Sequence, residues 1–201
     1  MQRRQFVGAS AATPPPLTLP RVKLGKYEIS RLIAGENPMY GYAHFNSLLG
    51  AVMKEWYTDD RILEVLRRAR QQGVNTWEFT HSERSMANLR ASRKRDGSLQ
   101  FILLSSREME KDRGLIPKLA KEGPIGIVHH GGVTDRRIRD GERGKVRDFL
   151  KRVRDAGVLA GMSTHNPDNV VRAEEEGWET DFYMTCCYRV TRTPDELRAI
   201  T

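Results

Sequence analysis

Residues 157–168 read GVLAGMSTHNPD and contain one complete unit of the predicted fold. Gly157 is typical of the residue that follows a helix, and residues 159–163 form a short apolar strand pattern. Asn166 and Pro167 then indicate a helix start, with a side-chain cap followed by proline in the first turn. A strand that leads into a helix is the repeating unit of a parallel α/β fold. The stretch therefore predicts a β/α unit, with His165 in its connection.

The same unit recurs along the chain. Acidic or hydroxyl residues stand near the predicted helix starts, and a glycine follows most of the predicted ends. The predicted strands cover residues 29–35, 75–80, 100–106, 125–129, 159–163 and 181–187. The predicted helices cover residues 58–70, 82–95, 115–120 and 145–156, with two more beginning near 166 and 193. A Gly-rich loop is predicted after residue 129.

Two architectures fit such a series: a closed eight-fold barrel and an open doubly wound sheet. No Gly-x-Gly-x-x-Gly follows the first predicted strand, and polar residues follow most strands instead of clustering at one switch point. We therefore predict an α/β fold of the (β/α)8 TIM-barrel type.

The chain of 201 residues supplies about six units, against the eight units of a whole barrel. Residues 23–201 are expected to form a partial, C-terminally shortened barrel whose exposed strand edges favour self-association.

The N-terminal residues 1–22 are expected to be a signal-like or disordered tail outside the fold. Arg3 and Arg4, followed by Gln5 and Phe6, resemble a twin-arginine export signal. The apolar stretch that follows is short and runs into three prolines. The alternatives for localisation are the periplasm, by twin-arginine export, and the cytoplasm. No stretch of the sequence is long and apolar enough to predict a membrane span.

Charge and cysteine content restrict the expected partners. The net charge is +8, yet the basic residues lie mainly at helix ends and on outward faces, without a zinc-finger or RNP-like pattern. We expect a small-molecule substrate and no nucleic acid. Cys186 and Cys187 are adjacent, so they cannot build a disulfide framework and are interpreted as the end of a strand.

All histidines follow the ends of predicted strands. They are His44, His81, His129, His130 and His165. In a β/α-barrel these connections form the mouth where chemistry takes place. Adjacent strand residues point to opposite faces, so only one of the consecutive pair is expected to face the barrel axis. The distribution favours an active site.

Three segments carry a resemblance to a known family. Residues 24–32 (LGKYEISRL), 69–77 (ARQQGVNTW) and 160–163 (AGMS) resemble the first, second and fifth strand regions of the aldo/keto reductase family. Their order and spacing match over roughly residues 22–190. The resemblance implies a β/α-barrel oxidoreductase that uses NADP(H), without a metal, to reduce a small carbonyl or sugar-like substrate.

The catalytic group that the resemblance implies has changed. The family's aspartate, tyrosine, lysine and histidine fall on Glu78, Glu83, Ser105 or Ser106, and His129 or His130. We therefore expect Glu78 to orient the site and His129 or His130 to polarise the substrate oxygen. His81, close to the tyrosine position, is the candidate proton donor.

The resemblance also implies cofactor-binding residues. Ser163 matches the serine that holds the nicotinamide carboxamide, and Thr164 stands where the family has asparagine. Tyr188, with a shift of one residue, matches the tyrosine on which the nicotinamide ring stacks. These three residues are the predicted contacts for NADP(H).

Two further functions remain open from the residues alone. Glu78, His81, His129 and His165 could bind a divalent metal in an isomerase, lyase or hydrolase, since carboxylate and imidazole suit zinc, iron or manganese. The chain could also be a non-catalytic binding protein on the same scaffold.

Two other segments could contact a ligand. The glycines 131–132 could bring backbone amides close to an anion, and the insert 36–57 could act as a lid.

Overall fold

Strands and helices alternate through most of the chain. The structure, a computed structural model, describes residues 19–43, 46–186 and 195. The strands are β1 (Arg21–Leu24), β2 (Tyr27–Ser30), β3 (Thr76–Thr80), β4 (Gln100–Leu104), β5 (Gly126–His129), β6 (Leu159–Thr164) and β7 (Phe182–Thr185). The helices are α1 (Ser47–Trp56), α2 (Asp59–Gln71), α3 (Glu83–Asp96), α4 (Arg107–Lys111), α5 (Leu115–Ala120), α6 (Gly131–Arg139), α7 (Arg143–Asp155) and α8 (Asp168–Glu175). A 3-10 helix, Asn37–Tyr40, precedes α1.

Side-chain caps place the starts of α2 and α3. Thr58 Oγ1 accepts a hydrogen bond from the Arg61 backbone N–H. Ser82 and Ser85 form a reciprocal capping box. Such caps satisfy N–H groups that lack a partner inside the helix, and each contributes about 1 kcal/mol. The predicted helices that are confirmed, with small shifts at their ends, cover residues 58–70, 82–95, 115–120 and 145–156.

The parallel sheet is open, and the predicted (β/α)8 TIM-barrel type with about six units is therefore wrong. Five parallel strands pair in the order β3-β4-β5-β6-β7 and form a half-barrel. A barrel of this type closes only when eight tilted strands return to the first one. Here β3 and β7 are the two edges of the sheet. The fold is a mixed α/β arrangement of this half-barrel and a small antiparallel sheet.

The segment predicted as the first barrel strand, residues 29–35, does not join the parallel sheet as a strand. β1 and β2 form an antiparallel hairpin instead. Gly25, in the hairpin turn, has φ of +58°, a conformation that glycine adopts without strain and that suits tight hairpins. Further on, Ala34 forms a single parallel bridge to Trp77. Local pairing through the turn thus replaces pairing with the edge of the half-barrel.

The half-barrel has two differently covered faces. On the outer face, Trp77, Phe79 and Phe101 pack beneath the helices in the larger hydrophobic core. On the inner face, Ile102 and Val128 form a second core with residues of the hairpin. Strand side chains alternate between these faces. The hairpin lies at the amino ends of the strands, where the Glu28 carbonyl accepts hydrogen bonds from the side chains of Asn75 and Gln100.

Two glycines make room for an aromatic ring on the inner face. An ideal Cβ at Gly126 would lie 2.6 Å from Phe182 Cε1, and one at Gly161 would lie 2.6 Å from Phe182 Cζ. Both distances are too short for real carbon atoms, so a side chain at either position would displace the ring. The ring of Phe182 therefore lies across β5 and β6 because neither strand carries a Cβ there.

The prediction of a Gly-rich loop after residue 129 is wrong. Gly131 and Gly132 are the first residues of α6. The Val133 and Thr134 N–H groups donate to the His130 carbonyl, which closes the first turn directly after β5. The helix can begin at once because glycine brings no side chain into the crowded strand-to-helix junction.

Several predictions concern residues at or beyond the ends of the described chain. β1 begins at Arg21, so the predicted boundary between residues 1–22 and 23–201 falls inside the hairpin. The twin-arginine-like motif and Cys187 lie outside the described residues, as does most of the helix predicted from residue 193. Among the helices described, none combines the length and apolar character needed to cross a membrane.

Candidate functional site at the carboxyl ends of the strands

A cleft of about 700 Å³ opens at the carboxyl ends of β3, β4 and β5. We call it the carboxyl-end cleft. Its wall includes His81 after β3, Ser105 and Ser106 after β4, and His130 after β5. Residues that follow neighbouring parallel strands meet at one edge of the sheet. The fold thus brings together two of the predicted catalytic residues, His81 and His130, and adds two hydroxyl groups.

His81 is held by the connection after β4. Its backbone N–H donates to the Leu104 carbonyl at 3.0 Å. Its Nδ1 lies 3.1 Å from Ser106 Oγ and 3.6 Å from Glu108 Oε2. Burial lowers the pKa of His81, and the nearby carboxylates of Glu108 and Glu83 raise it in part. The ring is therefore oriented by a hydroxyl and is mainly neutral at neutral pH.

His130 is the residue directly before α6. Its backbone N–H donates to Ser105 Oγ at 3.0 Å. Its Nδ1 is buried and has no hydrogen-bond partner among the described residues. Burial lowers the pKa of His130, and the neighbouring His129 and His165 lower it further. Burial and the two neighbouring imidazoles therefore favour the neutral ring, and no protein group in the described chain fixes its tautomer through Nδ1.

Two arginines give the cleft a basic wall. Arg107 at the start of α4 and Arg136 in α6 both line it and are exposed. Within the described part of the chain, neither guanidinium belongs to an ion pair. The Glu110 carboxylate also lines the cleft, but it accepts a hydrogen bond from Arg137 at 3.1 Å. The free charge facing the cleft is therefore positive, which suits an anionic ligand.

His129, predicted as an alternative catalytic residue, does not face this cleft. Its side chain is 2% exposed on the outer face of the sheet. Nδ1 lies 2.7 Å from Thr134 Oγ1, and the ring packs edge-on against Phe149 at 4.9 Å. Hydrogen bonding to His129 has the largest effect on the pKa of Glu110, and hydrogen bonding to Arg137 adds to it. Together they lower this pKa to about 2, although burial opposes the shift. His129 belongs to the packing between the sheet and the helices.

Glu78 points to the inner face but lies below the cleft. It lines a separate apolar pocket of about 350 Å³. Burial raises its pKa to about 8, and the neighbouring carboxylate of Glu36 adds to the shift. Glu36 is 4% exposed and accepts a hydrogen bond from the Thr80 backbone N–H at 2.6 Å. The predicted orienting residue is therefore separated from His81 and His130.

His165 forms a close pair with Asp135 of α6. Its Nδ1 lies 2.8 Å from Asp135 Oδ2, and its backbone N–H donates to the same oxygen at 3.1 Å. The other oxygen of Asp135 accepts hydrogen bonds from the Thr164 hydroxyl and from Asn169 Nδ2. The carboxylate holds Nδ1–H of His165 and leaves Nε2 as the free ring nitrogen.

The predicted NADP(H) contacts are Ser163, Thr164 and Tyr188, and the structure describes the first two of them. Ser163 is buried beside Gly131, where an ideal Cβ would lie 2.8 Å from Ser163 Oγ. The Thr164 hydroxyl donates to Asp135 and accepts from Asn166 N–H and Asn169 Nδ2. Its hydrogen-bonding capacity is therefore used within the protein. Tyr188 and His44 lie outside the described residues. Of the three residues, Thr164 alone is shown to be committed to other contacts, and the NADP(H) site stays a prediction.

The predicted metal ligands are not assembled. Glu78 lies in the apolar pocket, His81 in the carboxyl-end cleft, His129 on the outer face and His165 beside Asp135. Within residues 19–43 and 46–186, no group of three or more His, Cys, Asp or Glu side chains could hold a metal ion. The side chains of the described chain thus do not fit a divalent metal site built from this set.

Part of the insert 36–57 lies over the cleft. Asn37 in the 3-10 helix and Tyr42 both line it. Tyr40 anchors the segment, because its hydroxyl accepts a hydrogen bond from Asn88 Nδ2 of α3 at 3.2 Å. The insert therefore contributes to the wall of the cleft and is tied to a neighbouring helix.

Sequence reasoning did not identify Arg107, Arg136, Asp135 or Glu36 as site residues. Each lies in or before a helix whose sequence resembles many solvent-exposed segments. A local sequence signal would not separate them from surface charges, because only the packing of α4, α6 and the segment before the 3-10 helix against the sheet brings them to the site. Compared with known proteins, the chain matches no family model, no curated protein and no solved structure.

Proposed function

We propose that the chain binds a small anionic carbonyl compound in the carboxyl-end cleft and moves protons on it. The observation that carries this proposal is the convergence of His81 and His130 with Arg107 and Arg136 on one cleft. The volume of about 700 Å³ is in the range of small-molecule sites. A carboxylate or phosphate on the substrate would be held by the guanidinium groups.

The two histidines have complementary roles. His130 is the candidate base, since it can take up a proton without losing a hydrogen bond from Nδ1. It would take a proton from the carbon beside the carbonyl, and the electron pair would move to the carbonyl oxygen. His81, oriented through Nδ1 by Ser106, would supply a proton to that oxygen. The product is an enediol or enol, and the reverse sequence returns a proton to carbon.

The neutral state of both rings supports this chemistry. Burial lowers the pKa of His81 and of His130, so each is mainly unprotonated near pH 7. A base must be unprotonated to accept a proton, and a neutral imidazole can also act as a donor. We therefore expect the rate of proton exchange to rise with pH through a midpoint below the ordinary pKa of histidine and then to level off.

Binding is tested with pyruvate and dihydroxyacetone phosphate, with acetone as the neutral comparison. Calorimetric titration should show saturable binding of at least one anion and none of acetone. Arg136→Met should weaken binding by at least about tenfold, because a charge-assisted hydrogen bond contributes roughly 1.5–3 kcal/mol. Arg139→Met is the matched control: this residue is in the same helix but pairs with Asp140. Equal binding of acetone and pyruvate would contradict the proposal.

Proton transfer is tested by deuterium exchange at the methyl group of pyruvate in D₂O, followed by NMR. The intact protein should accelerate exchange, and His130→Gln should lower the acceleration about a hundredfold, as expected for loss of a general base. An unchanged rate in this variant would contradict the role of His130.

Carbonyl reduction with NADP(H) remains a prediction from the family resemblance. Fluorescence titration with NADPH would measure directly whether the cofactor binds.

A further inference from the structure

The apolar pocket below the carboxyl-end cleft contains a buried carboxyl group that the proposed function does not use. Its volume is about 350 Å³, and its wall includes Ile29, Ile102, Phe182 and Met184. Glu78 is the acidic residue in that wall. Small-molecule sites commonly have this form, an apolar enclosure with few polar groups.

Two buried carboxyl oxygens, one on the wall residue Glu78 and one on its neighbour Glu36, lack hydrogen-bond donors in the part of the chain that the structure describes. Glu78 Oε1 and Glu36 Oε2 are both buried, and neither has a partner among the described residues. The Glu36 side chain is 4% exposed. Its other oxygen is occupied by the Thr80 backbone N–H. Leaving a buried acceptor unpaired costs roughly 1–3 kcal/mol, so two such atoms near each other are unusual in a protein interior.

Glu36 Oε2 and the ionised form of Glu78 both need a donor. Carboxylate oxygens are acceptors, and an ammonium group has several N–H donors together with a compensating charge. A ligand with only acceptor atoms would leave Glu36 Oε2 unsatisfied. We propose that this pocket binds a small organic amine, in which the apolar body fills the pocket and the ammonium group bonds Glu78 and Glu36.

Within residues 19–43 and 46–186, the remaining titratable groups around the pocket do not supply a cation. Glu36, before the 3-10 helix, is close enough to Glu78 to raise its pKa but is not one of the wall residues, and β7 contributes Tyr183 to the wall. The hydroxyl of Tyr183 hydrogen-bonds to Glu174, and burial raises its pKa to about 12. The hairpin contributes Tyr27 to the surrounding core, and β4 contributes only apolar residues to the pocket wall.

Amine binding and protonation of Glu78 compete. Burial keeps the pKa of Glu78 at about 8, so below that pH a proton must leave before the ammonium group binds. For one linked proton, the affinity should rise about fiftyfold between about pH 6 and about pH 8. A ligand that accepts a hydrogen bond from the protonated carboxyl would show the opposite trend.

The experiment uses the full chain with benzylamine and its neutral isostere, benzyl alcohol. Calorimetry in two buffers of different ionisation enthalpy should show saturable binding of benzylamine with proton release, and at least tenfold weaker binding of the alcohol. Glu78→Gln should remove the pH dependence, while Glu28→Gln, an exposed carboxylate on the hairpin, should retain it. Thermal unfolding of each variant confirms that it is folded.

Several results would overturn the proposal. They are the absence of saturable benzylamine binding, equal affinity for the alcohol, and an affinity that falls as pH rises. The proposal is independent of the carboxyl-end cleft: His130→Gln should leave benzylamine binding unchanged. Loss of amine binding in that variant would show that benzylamine occupies the cleft instead.

Discussion

His129 and His130 are consecutive in the chain, yet their imidazoles lie on opposite faces of the parallel sheet. His129 contacts Thr134 and Phe149 on the outer face. His130 lines the carboxyl-end cleft. The pleat of a strand imposes this separation, because successive side chains point in opposite directions. The two side chains therefore have different surroundings: His129 packs in the core, and His130 lines the cleft.

Replacement of His129 and of His130 by alanine should change the free energy of unfolding by different amounts. His129→Ala should lower the free energy of unfolding by about 2–4 kcal/mol, since it removes a buried ring and leaves Thr134 with fewer partners. His130→Ala should change it by less than about 1 kcal/mol, because Nδ1 has no hydrogen bond to lose among the described residues. Urea denaturation of both variants measures the difference. Equal destabilisation would contradict the assignment of His129 to the core.

Glu78 should make the protein less stable as pH rises. Its pKa is about 8 in the folded chain, against an ordinary value of 4.5. Between these values the folded state holds a proton that the unfolded state has released, so stability falls by up to about 1.4 kcal/mol per pH unit. Below about pH 4.5 and above about pH 8 the contribution is flat.

Glu78→Gln should flatten this part of the profile. The variant should equal or exceed the parent in stability near pH 8, because no buried carboxyl then has to ionise. Urea denaturation at a series of pH values is the measurement, and Glu28→Gln is the exposed control. A parent slope retained in Glu78→Gln would assign the pH dependence to other groups, with Glu36 first because burial also raises its pKa.

Asp135→Asn should loosen the carboxyl end of β6. The carboxylate accepts hydrogen bonds from the His165 ring and backbone, Thr164 and Asn169. An amide keeps only one acceptor oxygen, so a loss of about 1–3 kcal/mol is expected. Nitrogen NMR of the His165 ring should also report a change at Nδ1. Asp140→Asn, at the exposed end of the same helix, is the control and should alter neither measurement.

Gly126→Ala and Gly161→Ala should each destabilise the inner core by about 1–3 kcal/mol, because the new methyl group would displace the Phe182 ring. Gly144→Ala is a suitable control: it lies in α7, and an added Cβ there would meet no atom within 4 Å. It should be neutral or slightly stabilising, since alanine favours helix. Denaturant unfolding compares the three variants. Tolerance of alanine at residues 126 and 161 would contradict the tight contact with Phe182.

The sequence predicted the alternation of strands and helices well, because its signals are local. Thr58 and Ser82 mark helix starts, and Gly97 and Gly157 follow helix ends. It also predicted that His81 and His130 would lie near the carboxyl ends of strands. The same signals could not decide whether the strands close into a barrel, since closure depends on pairing between strands distant in the chain.

Sequence alone determined the alternation of the main strands and helices from residue 58 onward, the parallel β/α pattern, and the positions of His81, His130 and His165 after strands. These follow from periodicity and capping, which act over a few residues. Only the tertiary structure decided that residues 21–30 pair as a hairpin apart from the parallel sheet, that Glu78 is buried beside Glu36, and that Asp135 meets His165. Each of these depends on contacts between distant segments, and burial and charge pairing exist only once those segments have packed together.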